Sequence, residues 1–429
     1  MQTESLQTPT LQTERYKDFS AHLDSKIMAQ RVAANATIEV TRRCPLQCAH
    51  CYNNLPMGDL EAKRGELTYE EYCRILDEMA EAGCLWLLFT GGEIFARKDF
   101  LDIYTHAKKK GFLITLFTNG TLISPKIADY LVEWRPFAIE ITLYGRTKET
   151  YERLTGIPGS YDRCLRGIHL LLERQLPLKL KSVAVSINKH EIGEMKKFAA
   201  ELGVGFKFDG MMNPRIDCSQ SPLAVRLKPW ELVKMDLEDP ERVGEWKKFA
   251  EKFNHPVPPE RSDEVYQCGG GINGFAIDPE GKMSICTLSH FDVYDLRQGS
   301  FREGWDHFLH QVRRKKITRV TKCTACEIKS MCGMCPANGE LENGDPESPV
   351  DFLCHVAHLR AKALEIPVPR HGDCEYCEGG SAHAALMESH ESLQKRRAEH
   401  WMDSGEPNPL FPIVNDRRSG GGGCSSCSM

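Results

Sequence analysis

Hydrophobic residues come in short unbroken runs, separated by stretches where they recur every three or four positions, and this alternation repeats six times between residues 36 and 209. The runs are 36–40 (ATIEV), 85–90 (LWLLFT), 113–118 (LITLFT), 138–143 (AIEITL), 178–187 (LKLKSVAVSI) and 204–209 (VGFKFD). Their length and β-branched content predict strands, and the periodic stretches between them predict amphipathic helices. A helix over 69–82 carries Thr68 and Glu71 as a capping box, Tyr72, Ile75, Leu76 and Met79 on one face, and Gly83 as its stop. Further helices are expected over 100–110, after Ser124 with Pro125 in the first position, over 161–174, and over 189–202. Short strands alternating with helices predict an α/β fold, a parallel sheet with helices outside. Six rounds are too few for an eight-fold barrel.

The pattern changes on either side. Residues 1–35 form a polar extension with a helix expected near 16–33, and 209–267 reads as a connector with helices near 229–236 and 241–253. A hairpin over 275–285 turns at 279–281, a helix follows at 356–364, and a tail runs to 429. The length allows two or three domains, and 41% hydrophobic content is that of a globular chain. A net charge of −5 gives no basic excess, so no nucleic-acid partner is expected. The N-terminus lacks the apolar core of a signal peptide and nowhere do eighteen apolar residues run together, so no membrane span and a cytoplasmic location are expected. The eighteen cysteines would be reduced there, and their clustering points to metal rather than disulfides.

Cys44, Cys48 and Cys51 stand in a C-x3-C-x2-C array directly after the first strand. Three thiols in eight residues converge only around a metal, and zinc sites usually pair cysteines as C-x2-C. Three thiolates satisfy three irons of a [4Fe–4S] cube and leave the fourth open for chemistry. This loop, with Tyr52 beside it, resembles that of the radical S-adenosylmethionine (radical SAM) superfamily. The resemblance implies an open partial (β/α)6 TIM-like barrel, a [4Fe–4S] cluster and S-adenosylmethionine (SAM), with ligands at the carboxyl ends of the strands. Thr90-Gly91-Gly92-Glu93 resembles the family's GGE motif, which meets the cofactor's methionyl amine, although Ile94 stands where proline is usual. Asn119, after the third strand, and Glu140, Thr142 and Tyr144, around the fourth, fall in cofactor-contacting segments; many relatives have Ser and Asp where this chain has Thr142 and Tyr144. Arg153 matches an arginine that clamps the methionyl carboxylate. Asn188 falls where adenine or carboxylate contacts occur, or else caps a helix with Glu191.

Cys268, Cys286, Cys323, Cys326, Cys332, Cys335 and Cys354 are ordered as in the SPASM auxiliary-cluster domain, although only Gly333 and Met334 separate Cys332 from Cys335 where the family has three residues. The resemblance assigns Cys323, Cys326, Cys332 and Cys354 to a distal cluster, and Cys268, Cys286 and Cys335 to a proximal one lacking a fourth ligand. It implies one or two auxiliary [4Fe–4S] clusters and the divisions 1–35 extension, 36–215 barrel, 216–267 connector, 268–365 SPASM domain and 366–429 tail. The tail holds Cys374 and Cys377, then Cys424 and Cys427 behind four glycines. Three readings compete for these pairs: an extra cluster ligand, with Cys374 or Cys377 first, an electron-shuttling or modified thiol pair, or a metal-scavenging end. Gly269 to Gly274 fits G-x-G-x-x-G but follows no strand and precedes a hairpin, so it is not a nucleotide loop. Arg313-Arg314-Lys315-Lys316 is a solvated face or a docking patch for a flavodoxin or ferredoxin reductant. By resemblance, the activity is reductive cleavage of SAM to a 5′-deoxyadenosyl radical that takes a hydrogen atom from the substrate. The expected outcome is oxidation or cross-linking of a peptide or protein side chain; a small-molecule substrate, or an iron–sulfur electron carrier without substrate chemistry, are the alternatives.

Overall fold

Each apolar run becomes a strand whose alternate residues point to a helix-covered face. The computed structural model describes residues 16–253, 263–324, 326 and 328–397. Six strands lie parallel and hydrogen-bonded in chain order: β1 (Asn35–Glu39), β2 (Trp86–Thr90), β3 (Leu113–Thr118), β4 (Ala138–Thr142), β5 (Leu178–Val183) and β6 (Gly205–Asp209). Register sets Leu87 beside Ala36 and Ile114, Leu116 beside Ile139, and Ile141 beside Leu180. Helix α1 (Tyr16–Gln30) precedes the barrel. The aliphatics of the strands make one buried layer under α2 (Tyr69–Glu81), α3 (Phe100–Lys109), α4 (Pro125–Glu133), α6 (Ser160–Glu173) and α7 (Ile192–Glu201), with the short α5 (Lys148–Thr155) following β4. The opposite face carries charge: Lys181 and Lys207, adjacent on β5 and β6, reach Glu140 of β4 at 3.5 and 3.1 Å. The result is the expected TIM-like partial barrel, helices outside and polar within.

Local signals work as the sequence implies. Glu71 N donates to Thr68 Oγ1 at 3.2 Å and Thr68 N to Glu71 Oε2 at 2.7 Å, closing the capping box of α2, and Tyr72, Ile75, Leu76 and Met79 are buried. Three boundaries differ clearly: the helix expected over 356–364 begins already at Asp351, and two others lie in the barrel. The fifth strand stops at Val183, short of 187, because Asn188 Nδ2 donates to the Val183 carbonyl and its Oδ1 accepts from Val185 N, diverting groups that would extend the ladder. The helix expected from 189 opens as a 3₁₀ turn, Lys189–Glu191, before α7.

The C-terminal half continues the same sheet. Its hairpin, β7 (Gly274–Ile277) and β8 (Lys282–Ser284), turns through Gly281 at φ 83°, and β7 pairs parallel with β1 on the side away from β2. A short β9 (Tyr294–Asp295) completes the order β9-β8-β7-β1-β2-β3-β4-β5-β6. Gly271 makes a left-handed turn into β7, with no helix after the strand, in keeping with the non-nucleotide reading of this glycine run. Helices α8 (Pro229–Glu238), α9 (Pro240–Phe253), α10 (Pro336–Asn343), α11 (Asp351–Ala363) and α12 (His383–Arg397) follow the barrel. Buried Asp236 of α8 ties Arg242 of α9 at 2.6 Å and Arg360 of α11 at 2.8 Å. Among the described residues no helix is long and apolar enough to cross a membrane.

Candidate active site

The first strand delivers its chain directly into the cysteine loop, which the rest of the barrel then fastens. Gln47 N and Ala49 N donate to the carbonyls of Thr155 and Leu154, at the end of α5 (Lys148–Thr155). Arg43 makes a buried two-pronged ion pair with Glu66, at 2.8 and 3.0 Å, and Thr41 Oγ1 donates to the same carboxylate. Arg215 reaches over the loop from beyond β6, donating to Cys51 O at 3.3 Å, Asn54 Oδ1 at 3.0 Å and Asn54 O at 2.9 Å. Tyr52 and Asn53 donate to Glu39 of β1 at 2.6 and 2.7 Å. Burial, offset by these donors, raises the Glu39 carboxyl above its ordinary range. Tyr52 therefore orients the loop from behind.

The Gly-Gly-Glu segment zips onto this loop. Gly92 N donates to Thr41 O at 2.7 Å and Glu93 N to Arg43 O at 3.0 Å. A Cβ on Gly91 would fall 2.3 Å from Thr41 O, and one on Gly92 2.5 and 2.6 Å from the carbonyl oxygens of Arg42 and Arg43. Gly91 also has φ 132°, so both glycines are there for backbone-to-backbone approach. Glu93 is 1% exposed and accepts from Thr118 Oγ1 at 2.7 Å, Asn119 N at 2.8 Å and Phe95 N at 3.3 Å. Burial pushes its carboxyl up to about 7 against those donors, and no lysine or arginine stands among the groups acting on it. This is a buried acceptor suited to an ammonium.

The three thiols have the chemistry a cluster requires. Burial, Glu93 and then Cys51 push the Cys44 thiol up to about 12, and burial followed by the other two thiols raises Cys48. Burial also raises Cys51, with Arg215 opposing it. Buried thiolates this close are unfavourable alone and become stable when bonded to cationic iron, so the donor set fits a [4Fe–4S] cluster. Asn119 Nδ2 lies 3.5 Å from Cys44 Sγ, linking the end of β3 to that ligand. Tyr144 packs beside His50 at 5.1 Å between ring centroids, and Cys48 is the first charge acting on its phenol after burial. Thr142, two residues before, hydrogen-bonds Tyr144.

Other residues singled out in the sequence sit less directly. Glu140 is held by Lys181 and Lys207, and burial lowers Lys181 to about 7. Arg153 is exposed on α5 and donates to Ile187 O at 3.1 Å. Asn188 is fully buried with both Nδ2 hydrogens given to the carbonyls of Tyr144 and Val183, at 3.0 Å each, and makes no side-chain cap with Glu191. Its amide props the Tyr144 backbone.

The later cysteines gather in two sets. Cys335 and Cys268 both act on the half-buried Cys286 thiol, which desolvation pushes up to about 12. Cys354 and Cys323 likewise act on Cys326, also at about 12 from burial, and Cys332 hydrogen-bonds Cys354. Cys374, which also acts on Cys326, and Cys377 lie with His358 and His371, Cys374 Sγ being 3.3 Å from His358 Nε2. Cys424 and Cys427 lie outside the described residues. The basic run is largely neutralised: Lys315 pairs with Asp292 and Lys316 with Asp263, each at 2.6 Å, and Arg313 with Glu264 at 3.4 Å. Sequence reasoning missed Glu39, Glu66 and Arg215. The alternating pattern could have flagged Glu39, a carboxylate inside an apolar strand run.

Comparison with known proteins follows the same lines. The Radical SAM superfamily family model matches residues 38–199. PqqA peptide cyclase of Bradyrhizobium diazoefficiens is 30% identical over 332 residues, 72% of this chain and 84% of that protein. AdoMet-dependent heme synthase of Methanosarcina barkeri is 27% identical over 325 residues, 72% of this chain and 92% of that protein. Among solved structures, Streptococcus suis SuiB bound to S-adenosylmethionine covers 82% of this chain and 83% of its own with TM-score 0.58, at 15% identity. AnSMEcpe with bound AdoMet and Cp18Cys peptide covers 84% of this chain and 99% of its own with TM-score 0.55, also at 15% identity; both show the fold alone. With the open barrel, the cysteine loop and a relative matched over most of both lengths, this chain belongs to the radical SAM superfamily and is an enzyme of that family.

Proposed function

We propose that this enzyme removes hydrogen from a peptide or protein side chain, leaving it oxidised or cross-linked. Cys44, Cys48 and Cys51 would hold the [4Fe–4S] cluster, and Glu93 would accept the ammonium of SAM. When bound, the cluster and SAM supply a 5′-deoxyadenosyl radical able to take a hydrogen atom. Arg153 would meet the methionyl carboxylate, while Asn119, Glu140, Thr142, Tyr144 and the Asn188-propped backbone would shape the nucleoside side. The roles of the chain itself are to orient and to exclude water: Glu39, Glu66 and Arg215 fix the loop, and the glycines let it close. The set Cys268, Cys286 and Cys335 and the set Cys323, Cys326, Cys332 and Cys354 would each bind an auxiliary cluster able to accept the electron left on an oxidised product. A flavodoxin or ferredoxin in the cytoplasm would be the reductant.

The observation that carries the peptide reading is the 30% identity to PqqA peptide cyclase across most of both chains. The heme synthase relative, matched over 92% of its length, favours a second reading, oxidation of an iron porphyrin. The test is anaerobic turnover with dithionite and SAM, offering a short peptide encoded beside this gene and, separately, Fe-coproporphyrin III. The proposal expects 5′-deoxyadenosine together with loss of two hydrogens from the peptide. Modification of the porphyrin alone would overturn it.

A further inference from the structure

Between α11 and α12 the chain makes a loop of turns without strand or helix, yet His371, Cys374, Tyr376 and Cys377 within it are all buried. A segment with so little backbone pairing needs another reason to stay folded inward. His358, on α11, is buried against it. One ligand atom from each of His358, His371, Cys374 and Cys377 lies within 4.8 Å of every other, the one group among the described residues so close-set that it could hold a single ion.

We propose that these four residues form a structural Zn²⁺ site. The ligand set is two thiols and two imidazoles, the soft and borderline donors that tetrahedral zinc takes, and closure on all four positions marks a structural rather than catalytic ion. His358 is prepared for it. His358 Nδ1 lies 2.8 Å from Cys354 O, so donation there leaves the Nε2 lone pair facing Cys374 Sγ at 3.3 Å and Cys377 Sγ at 4.0 Å. A backbone carbonyl fixing the far nitrogen is the usual support of a metal-bound imidazole. His371 Nδ1 lies 2.9 Å from Pro369 O and 3.7 Å from Cys377 Sγ, and its Nε2 is buried without a partner.

The spacing also separates zinc from a cluster. Thiolates of a [4Fe–4S] cube each hold a different iron and diverge from its corners, whereas ligands of one ion converge. Zinc–sulfur bonds of about 2.3 Å and zinc–nitrogen bonds of about 2.0–2.1 Å give tetrahedral edges of about 3.3–3.8 Å, a small contraction of the arrangement present. The site would fasten the loop to α11 one turn beyond Cys354.

The experiment uses the full chain, expressed with iron and zinc both supplied and purified anaerobically without chemical reconstitution. Metal analysis is expected to find about one zinc per chain beside the iron, and zinc K-edge EXAFS, blind to iron, about two sulfur and two nitrogen neighbours. His371→Cys keeps four ligands and should retain zinc while shifting the shell to three sulfurs and one nitrogen. Cys374→Ser with Cys377→Ser should lower zinc at least about tenfold. Zinc below about a tenth of an equivalent in the parent, or a zinc shell unmoved by His371→Cys, would overturn the assignment. Insolubility of the double variant leaves the decision to His371→Cys.

Discussion

Glu93→Gln removes a charge at nearly constant volume, and the surroundings of Glu93 fix what should follow. In the cofactor-free chain the carboxyl rises from 4.5 to about 7 through burial. At about 1.4 kcal/mol per pH unit, holding it ionised costs roughly 3 kcal/mol. The folded chain therefore binds this proton more tightly than the unfolded one. The stability of the parent falls as pH rises from 4.5 towards 7, and levels off above. The Gln variant lacks that slope. It carries a different fault, because one carboxylate oxygen accepts from Thr118 and Phe95 and the other from Asn119 N. Whichever position becomes the amide nitrogen meets a donor, at a cost of about 1–3 kcal/mol. Parent and variant should thus lie close together at pH 8, with the parent clearly more stable at pH 5. Cofactor binding separates them again: loss of a charge-assisted bond of about 1.5–3 kcal/mol should weaken SAM about 10- to 100-fold. Thermal unfolding at the two pH values, infrared detection of a carboxyl titrating near 7, and equilibrium dialysis with SAM check each step. A variant that binds SAM as tightly as the parent, or an infrared titration identical in both proteins, would refute the reasoning.

Gly92→Ala puts a methyl group 2.5–2.7 Å from backbone atoms of Arg42 and Arg43, which cannot swing aside, and overpacking of this kind costs about 1–3 kcal/mol or more. Iron incorporated at the first cluster should drop, as read by EPR of the reduced protein. Arg215→Ala removes three hydrogen bonds to Cys51 and Asn54 and should cost about 2–4 kcal/mol locally, seen as faster hydrogen exchange across the loop and faster iron loss to a chelator. Thr68→Ala breaks only the capping box of α2 and should cost about 1 kcal/mol with SAM affinity unchanged, measured by thermal unfolding and dialysis.

What the sequence revealed depended on the range of each signal. The six strand–helix rounds were legible because their cause is local: period, caps and terminators such as Thr68, Ser124 and Gly83 act within a few residues. The cysteine loop and Gly-Gly-Glu were legible as motifs, and the two glycines as places of close backbone approach, but not what they approach. The structure presses them onto the backbone of Thr41 to Arg43, an approach the β1–β2 register creates. Arg215 binds a carbonyl 164 positions away, and nothing near it in the chain marks it as more than a connector charge. Asn188 shows the converse: a residue following a strand read equally as ligand or cap, and the fold gave it a third task, holding Tyr144 O and Val183 O. His358 had no local mark either, since a histidine on a helix becomes a ligand only when a later loop brings thiols to it.

The same topology explains how two cysteine systems can work together. Pairing β7 with β1 places the hairpin turn over the start of the first loop, where Arg42 ion-pairs with Asp278 at 3.0 Å and Glu280 at 3.2 Å. Leu67 N donates to Pro279 O at 2.7 Å, adding a neutral bond from the segment that carries Glu66. Glu66 in turn grips Arg43, so the hairpin, the Arg43–Glu66 pair and the cysteine loop form one continuous polar brace. Cys286 follows β8 by two residues, so its position is set by the same strand pairing that positions Cys44. Distance between the first cluster site and the Cys286 set is therefore fixed by sheet hydrogen bonds rather than by a linker. With a cluster at each site, as proposed, electron transfer between them would fall steeply with distance, which gives a physical reason for building both sites onto strands of one sheet.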